Sequence, residues 1–129
     1  TGSMANNQER EAQEAMFPAV YYLQSDSLQR AVEGDDNYPG FNEISEDYPL
    51  SKAANLSHFY TGVAYLKQGE YQKAIDKLKD FSSSDLLIQA RAYSLIGDAY
   101  LELKKYEAAI DAYQQAADYK PNAFSPLAT

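Results

Sequence analysis

Residues 55–81 read NLSHFYTGVAYLKQGEYQKAIDKLKDF, and residues 90–116 read ARAYSLIGDAYLELKKYEAAIDAYQQA. The second stretch restates the first at an offset of 35 residues. Gly62 falls on Gly97, Tyr65 on Tyr100, Tyr71 on Tyr106, Ala74 on Ala109, Ile75 on Ile110 and Leu78 on Tyr113. Ala64-Tyr65-Leu66 returns as Ala99-Tyr100-Leu101. Each stretch holds two helix-length segments joined by a short turn. A glycine in the middle of a helix costs about 1 kcal/mol relative to alanine. Gly62 and Gly97 therefore signal a close approach by the partner helix, with Ala74 and Ala109 as the small residues expected opposite and tyrosines filling the seam. One such hairpin cannot bury its apolar face alone, so adjacent hairpins must stack.

Outward from the repeat, the punctuation is helical throughout. Ala, Leu, Gln, Glu and Lys dominate, and nothing alternates long enough to make a strand. Residues 7–25 form one expected helix with Met16, Phe17, Val20 and Leu23 on its apolar face, and Pro18 kinks it or marks its start. Asp26 is placed to cap a short helix that Gly34 ends. A loop over 35–40 leads to a helix from Phe41 to Asp47, stopped at Tyr48-Pro49. Ser51 caps a helix reaching about Lys67, and Gln68-Gly69 turns the chain into a helix from Tyr71 to Phe81. Asp85 caps the helix from Leu86 to Leu103, and the last helix covers Tyr106 to Asp118.

The repeat units resemble the tetratricopeptide repeat. In the order of that signature, the second unit supplies Gly97, Tyr100, Tyr106, Ala109, Tyr113, Ala116 and Pro121. The first supplies Gly62, Tyr65, Tyr71, Ala74 and Leu78, and departs from it with Phe81 and Leu86. The resemblance implies an all-α fold of antiparallel helical hairpins stacked as a short right-handed solenoid. The organisation that follows is an expression scar at 1–4, N-terminal helices with a degenerate repeat over 5–50, repeat units over 51–84 and 85–119, and a tail over 120–129 that begins a truncated further repeat. Asp26-Ser27-Leu28, Gly34-Asp35, Gly40-Phe41 and Lys52-Ala53-Ala54-Asn55-Leu56 also resemble membrane-tethered repeat proteins of Bacteroidetes, similar in plan to the ancillary subunit of the SecYEG translocon. That likeness implies a periplasmic location through an upstream anchor. A cytoplasmic location is the alternative.

The 129 residues lack cysteine, which removes disulfides, thiolate metal sites and cysteine nucleophiles. The lone histidine, His58, removes multi-histidine metal sites and is expected to pack inside the hairpin. No apolar run approaches the ~18 residues of a membrane span, so these residues insert no helix into a bilayer. The formal charge is −8, which argues against a nucleic-acid partner. Residues 1–50 carry all of it, ten acids against Arg10 and Arg30, while residues 51–129 balance nine acids with nine bases. Asp35 to Glu46 has the length of a calcium-binding loop, but Pro39 and Asn42 break that pattern and an ordinary turn is expected.

No nucleophile, base or phosphate loop stands in register, so neither catalysis nor a cofactor is expected. The expected function is a protein-interaction scaffold, and the alternatives are a soluble adaptor or a regulatory domain of a larger enzyme or sensor. The partner is a protein or peptide, bound on the concave surface that the first helices of the hairpins line in such folds. Helical spacing puts Leu56, Phe59, Val63 and Leu66 there in the first unit, and Arg91, Ser94, Asp98 and Leu101 in the second. The apolar stripe of the first unit either binds an apolar peptide segment or is covered by the chain's own N-terminal helices, and the need of those helices to pack favours the cover. The last hairpin lacks a neighbour, so its apolar face is expected to be covered by the tail through Phe124 and Leu127, or by another molecule, as in a homodimer.

Overall fold

The computed structural model describes residues 2–119. The tail with Pro121, Phe124, Pro126 and Leu127 lies outside the described residues, as does Thr1 of the N-terminal scar. Seven helices and no strand are present among the described residues: α1 Gly2–Gln24, α2 Leu28–Glu33, α3 Phe41–Asp47, α4 Lys52–Lys67, α5 Tyr71–Asp80, α6 Leu86–Glu102 and α7 Tyr106–Tyr119. They form an all-α helical solenoid in which α4–α5 and α6–α7 are the two long hairpins.

α1 runs through Pro18 without interruption, so the proline is neither its start nor its end. The helix survives the lost backbone hydrogen bond because apolar packing lies on both sides of it. Ala12, Met16, Ala19 and Leu23 are buried at spacings of four, three and four, one continuous stripe. Phe17, expected on that stripe, points outward and is 74% exposed. Met16, Val20 and Leu23 pack on this side as expected, and the small residues Ala12 and Ala19, which a search for large apolar ones passes over, complete it. Asp26 does not cap α2: it adopts a left-handed backbone, φ 61°, and closes the turn after α1. There the Ser27 amide donates to the Tyr22 carbonyl at 2.8 Å.

The loop after α2 is held from within. Asp35 Oδ1 accepts from the amides of Asn37 and Tyr38, both at 2.9 Å, and Oδ2 accepts from the Tyr22 hydroxyl at 2.8 Å. Those bonds hold the Asp35 carboxyl below the usual carboxylate range, Tyr22 contributing most. With α3 beginning at Phe41, the segment is a turn followed by a helix. Phe41 and Ile44 then plug α3 into α4, both almost fully buried.

α4 separates two cores. Toward the N-terminal helices it presents Ala53, Tyr60 and Ala64, packed with Met16, Ala19, Leu23, Val32, Phe41 and Ile44. Ser57 donates to Met16 Sδ at 3.0 Å on that side. Toward the C-terminal hairpin it presents Phe59, packed with Ile75, Leu78, Phe81, Leu95 and Ile96. Leu56 and Tyr60 touch both cores and join them. Ser51 accepts from the Ala54 amide at 2.9 Å as the N-cap of α4. Glu9 of α1 reaches the same end and accepts from the amides of Lys52 at 2.8 Å and Ala53 at 3.3 Å. Burial alone would raise the Glu9 carboxyl; the two amides, the Gln13 side chain and the Lys52 charge together outweigh it and leave it below its ordinary value.

The glycine seams are tight, and their nearest partners are large side chains, with the expected Ala74 behind at Gly62, its carbonyl 3.4 Å from where a Cβ would stand. A Cβ on Gly62 would stand 2.5 Å from Leu78 Cγ, and one on Gly97 would stand 2.6 Å from the Tyr113 ring. The large residue of the facing helix fills each glycine notch, because a notch without a side chain admits a bulky one. Ala74 and Ala109 are buried nearby and keep the helices close.

Candidate functional site

The equivalent helices α4 and α6 meet opposite fates. Leu56, Val63 and Leu66 of α4 pack against the second core, and Phe59 lies within it. The expected cover holds only in part: Leu56 also packs on the core of the N-terminal helices, while Phe59, Val63 and Leu66 pack with the second core. The reason is angular. Residues 53, 57, 60 and 64 form one stripe of α4 and residues 56, 59, 63 and 66 its neighbour, so the two cores divide the helix between them.

In the second unit the same positions face outward. Arg91, Asp98 and Leu101 are exposed and Ser94 is half-buried. Arg91 and Ser94 line a groove of about 350 Å³ with Leu87, Ala90, Tyr113 and Ala116. Asp98 and Leu101 extend the stripe beyond that groove along α6. Leu87 completes it at the other end, so Leu87, Arg91, Ser94, Asp98 and Leu101 run along one helix face at alternating spacings of four and three. The facing edge of α7 adds Tyr106 and Ile110, each 57% exposed.

Ile110 makes the contrast plain. Its counterpart Ile75 is 0% exposed, within the core that joins the two hairpins. The first hairpin buries this face under the second, while the second hairpin leaves it open among the described residues. Sequence reasoning found the α6 residues of this face but not Leu87, Tyr106 or Ile110. Ile110 repeats Ile75 in identical local text, so nothing in the sequence separated the open position from the covered one. Leu87 maps onto Lys52, so the repeat carried no signal for it.

One polar link orders the face. The Tyr113 hydroxyl donates to Asp98 Oδ1 at 2.6 Å and pins α7 to α6 beside Gly97. That bond, with burial and the carboxylate charge adding to it, pushes the Tyr113 phenol up to about 12. Arg91 makes no ion pair among the described residues. A second concavity of about 390 Å³ lies behind, between α5 and α7 on the floor of α6, where Lys79 Nζ donates to the Tyr100 hydroxyl at 2.8 Å.

No three of His, Cys, Asp and Glu gather as a metal site among the described residues. His58 sits half-buried in the α4–α5 hairpin with no partner for Nδ1. Burial lowers its pKa, Lys77 lowers it further, and Asp80 opposes both. No helix among the described residues is long and apolar enough to cross a membrane.

Comparison with curated proteins and with solved structures gives no match. A tetratricopeptide repeat family model matches residues 61–124, from the middle of α4 to beyond α7. Repeats of this family generally mediate protein–protein interaction and are generally not catalytic. With Gly62, Tyr65, Ala74, Gly97, Tyr100, Tyr113 and Ala116 all within the match and the two hairpins stacked through a shared core, the match over residues 61–124 supports a tetratricopeptide repeat solenoid.

Proposed function

We propose that this protein is a non-enzymatic interaction scaffold whose docking surface is the open face of the α6–α7 hairpin. The observation that carries this is the pair Ile75 and Ile110: the same repeat position, fully buried under the second hairpin in one case and 57% exposed among the described residues in the other. The face has the shape and the apolar content of a surface that receives a helix. Its polar members, Arg91 and Asp98, supply register. The finer setting belongs to the same reading: a bacterial cell-envelope or translocon-associated assembly, on the periplasmic side of an inner membrane, reached through an upstream anchor. Its support is the resemblance at Asp26–Leu28, Gly34-Asp35, Gly40-Phe41 and Lys52–Leu56.

A photo-crosslinking residue placed at Leu101 in cells tests the docking surface, with Gln72, exposed on α5, as the control position. Discrete protein adducts at Leu101 that are missing at Gln72 are expected. Equal adducts at both, or none at either, would contradict the reading. Fractionation of the same cells tests the setting: the protein is expected in the inner-membrane fraction and open to protease added from the periplasmic side. Recovery in the cytoplasm would favour the adaptor alternative.

A further inference from the structure

Resting on that docking surface, we infer that its occupant is the same face of a second copy of this chain, so that the protein closes a two-fold dimer through α6. The stripe on α6 reads Leu87, Arg91, Ser94, Asp98, Leu101. Its pattern reverses about its centre: an apolar residue at each end, opposite charges inside them, and a small residue in the middle. Two such helices laid antiparallel, with a two-fold axis near Ser94, set Arg91 of each copy against Asp98 of the other and Leu87 against Leu101. One complementary pair becomes two, which is how a self-complementary patch closes. Asp98 is ready for this role, since Tyr113 holds its Oδ1 and its other oxygen has no partner among the described residues.

The rest of the molecule favours closure over chain growth. Head-to-tail stacking would need the N-terminal side of α4 to be free, and α1, α2 and α3 already pack on it. The charge distribution allows the approach as well. The net charge of −8 belongs to residues 1–50, so the acidic thirds stay at the far ends, and the α6–α7 hairpins that meet carry only a small excess, five acids against three bases over residues 86–119. Ser94 at the axis lets the helices come near, with Ala90 and Ala116 in the groove alongside.

Charge reversal tests this directly. Sedimentation equilibrium over a concentration series is run on the unaltered chain, on Arg91→Asp, on Asp98→Arg, and on the double variant carrying both. The unaltered chain is expected to dimerise. Each single reversal opposes like charges twice across the axis and is expected to weaken the dimer by about tenfold or more. The double variant restores opposite charges with their places exchanged and is expected to regain most of the loss. Arg91 is exposed and without an ion pair, so Arg91→Asp is expected to keep its helical circular dichroism, and it serves as the informative single variant if Asp98→Arg misfolds. A monomeric unaltered chain across the series, or a dimer indifferent to Arg91→Asp, would overturn the proposal. The crosslinks at Leu101 separate this failure from that of the docking surface: adducts only to other proteins leave the surface standing and remove the second copy.

Discussion

Tyr113 shows how much one side chain carries. Its ring fills the notch at Gly97 and its hydroxyl binds Asp98 at 2.6 Å, so it joins α7 to α6 by shape and by a polar bond at once. The sequence marks it as an aromatic at a repeat position, where the first unit has Leu78. It does not mark the hydroxyl's partner, because Asp98 lies a helix away and a carboxylate on an exposed face usually meets only water. Removing the hydroxyl with Tyr113→Phe is expected to cost about 0.5–1.5 kcal/mol at neutral pH, an ordinary net hydrogen-bond contribution. The pH dependence identifies the bond. The folded phenol sits near 12 against an ordinary 10, so the protonated form is favoured by folding. That contribution is whole below about pH 10 and is lost as the pH rises from there through 12. The stability difference between the two proteins, followed by denaturant titration, should be flat from neutral pH to about 10 and then shrink. A difference that grows with alkalinity would break the assignment.

At the scale of elements, the hairpins were legible because glycine, alanine and aromatic positions recur at one offset. Their helices lie within a residue or two of where caps and turns placed them. α1 was read less well. Its buried stripe is Ala12, Met16, Ala19 and Leu23, and alanine packs a helix closely without marking a face in the sequence. Phe17 drew attention by its size and lies exposed. The cover of α4 was read only in part for a related reason: the sequence shows that α4 is apolar on two adjacent stripes but not which neighbour takes which. The seam between α6 and α7 offers the element-scale test. A side chain at Gly97 would collide with the Tyr113 ring, so Gly97→Leu must push α7 away or eject the tyrosine. Overpacking of this kind costs about 1–3 kcal/mol, less whatever helix propensity returns. A thermal melt of Gly97→Leu is expected well below that of the unaltered chain, and coincident melts would contradict the close seam.

For the whole molecule, the account rests on an asymmetry between two nearly identical hairpins. The first is enclosed, with α1–α3 on one side and α6 on the other, and the second is enclosed on one side only among the described residues. The repeat alone could not show this, since equivalent residues in the two units look alike as text: Ile75 and Ile110 are the same letter in the same context. Only the three-dimensional order of the helices decides which isoleucine is covered. The absence of cysteine makes the asymmetry directly measurable, because a single introduced thiol has no competitor. Ile75→Cys and Ile110→Cys are labelled with a maleimide in the folded, dilute chain and then at rising protein concentration. The account predicts that the thiol at 110 reacts rapidly when dilute and more slowly as copies associate, while the thiol at 75 reacts only through unfolding, orders of magnitude more slowly. Equal labelling rates at the two positions would contradict it.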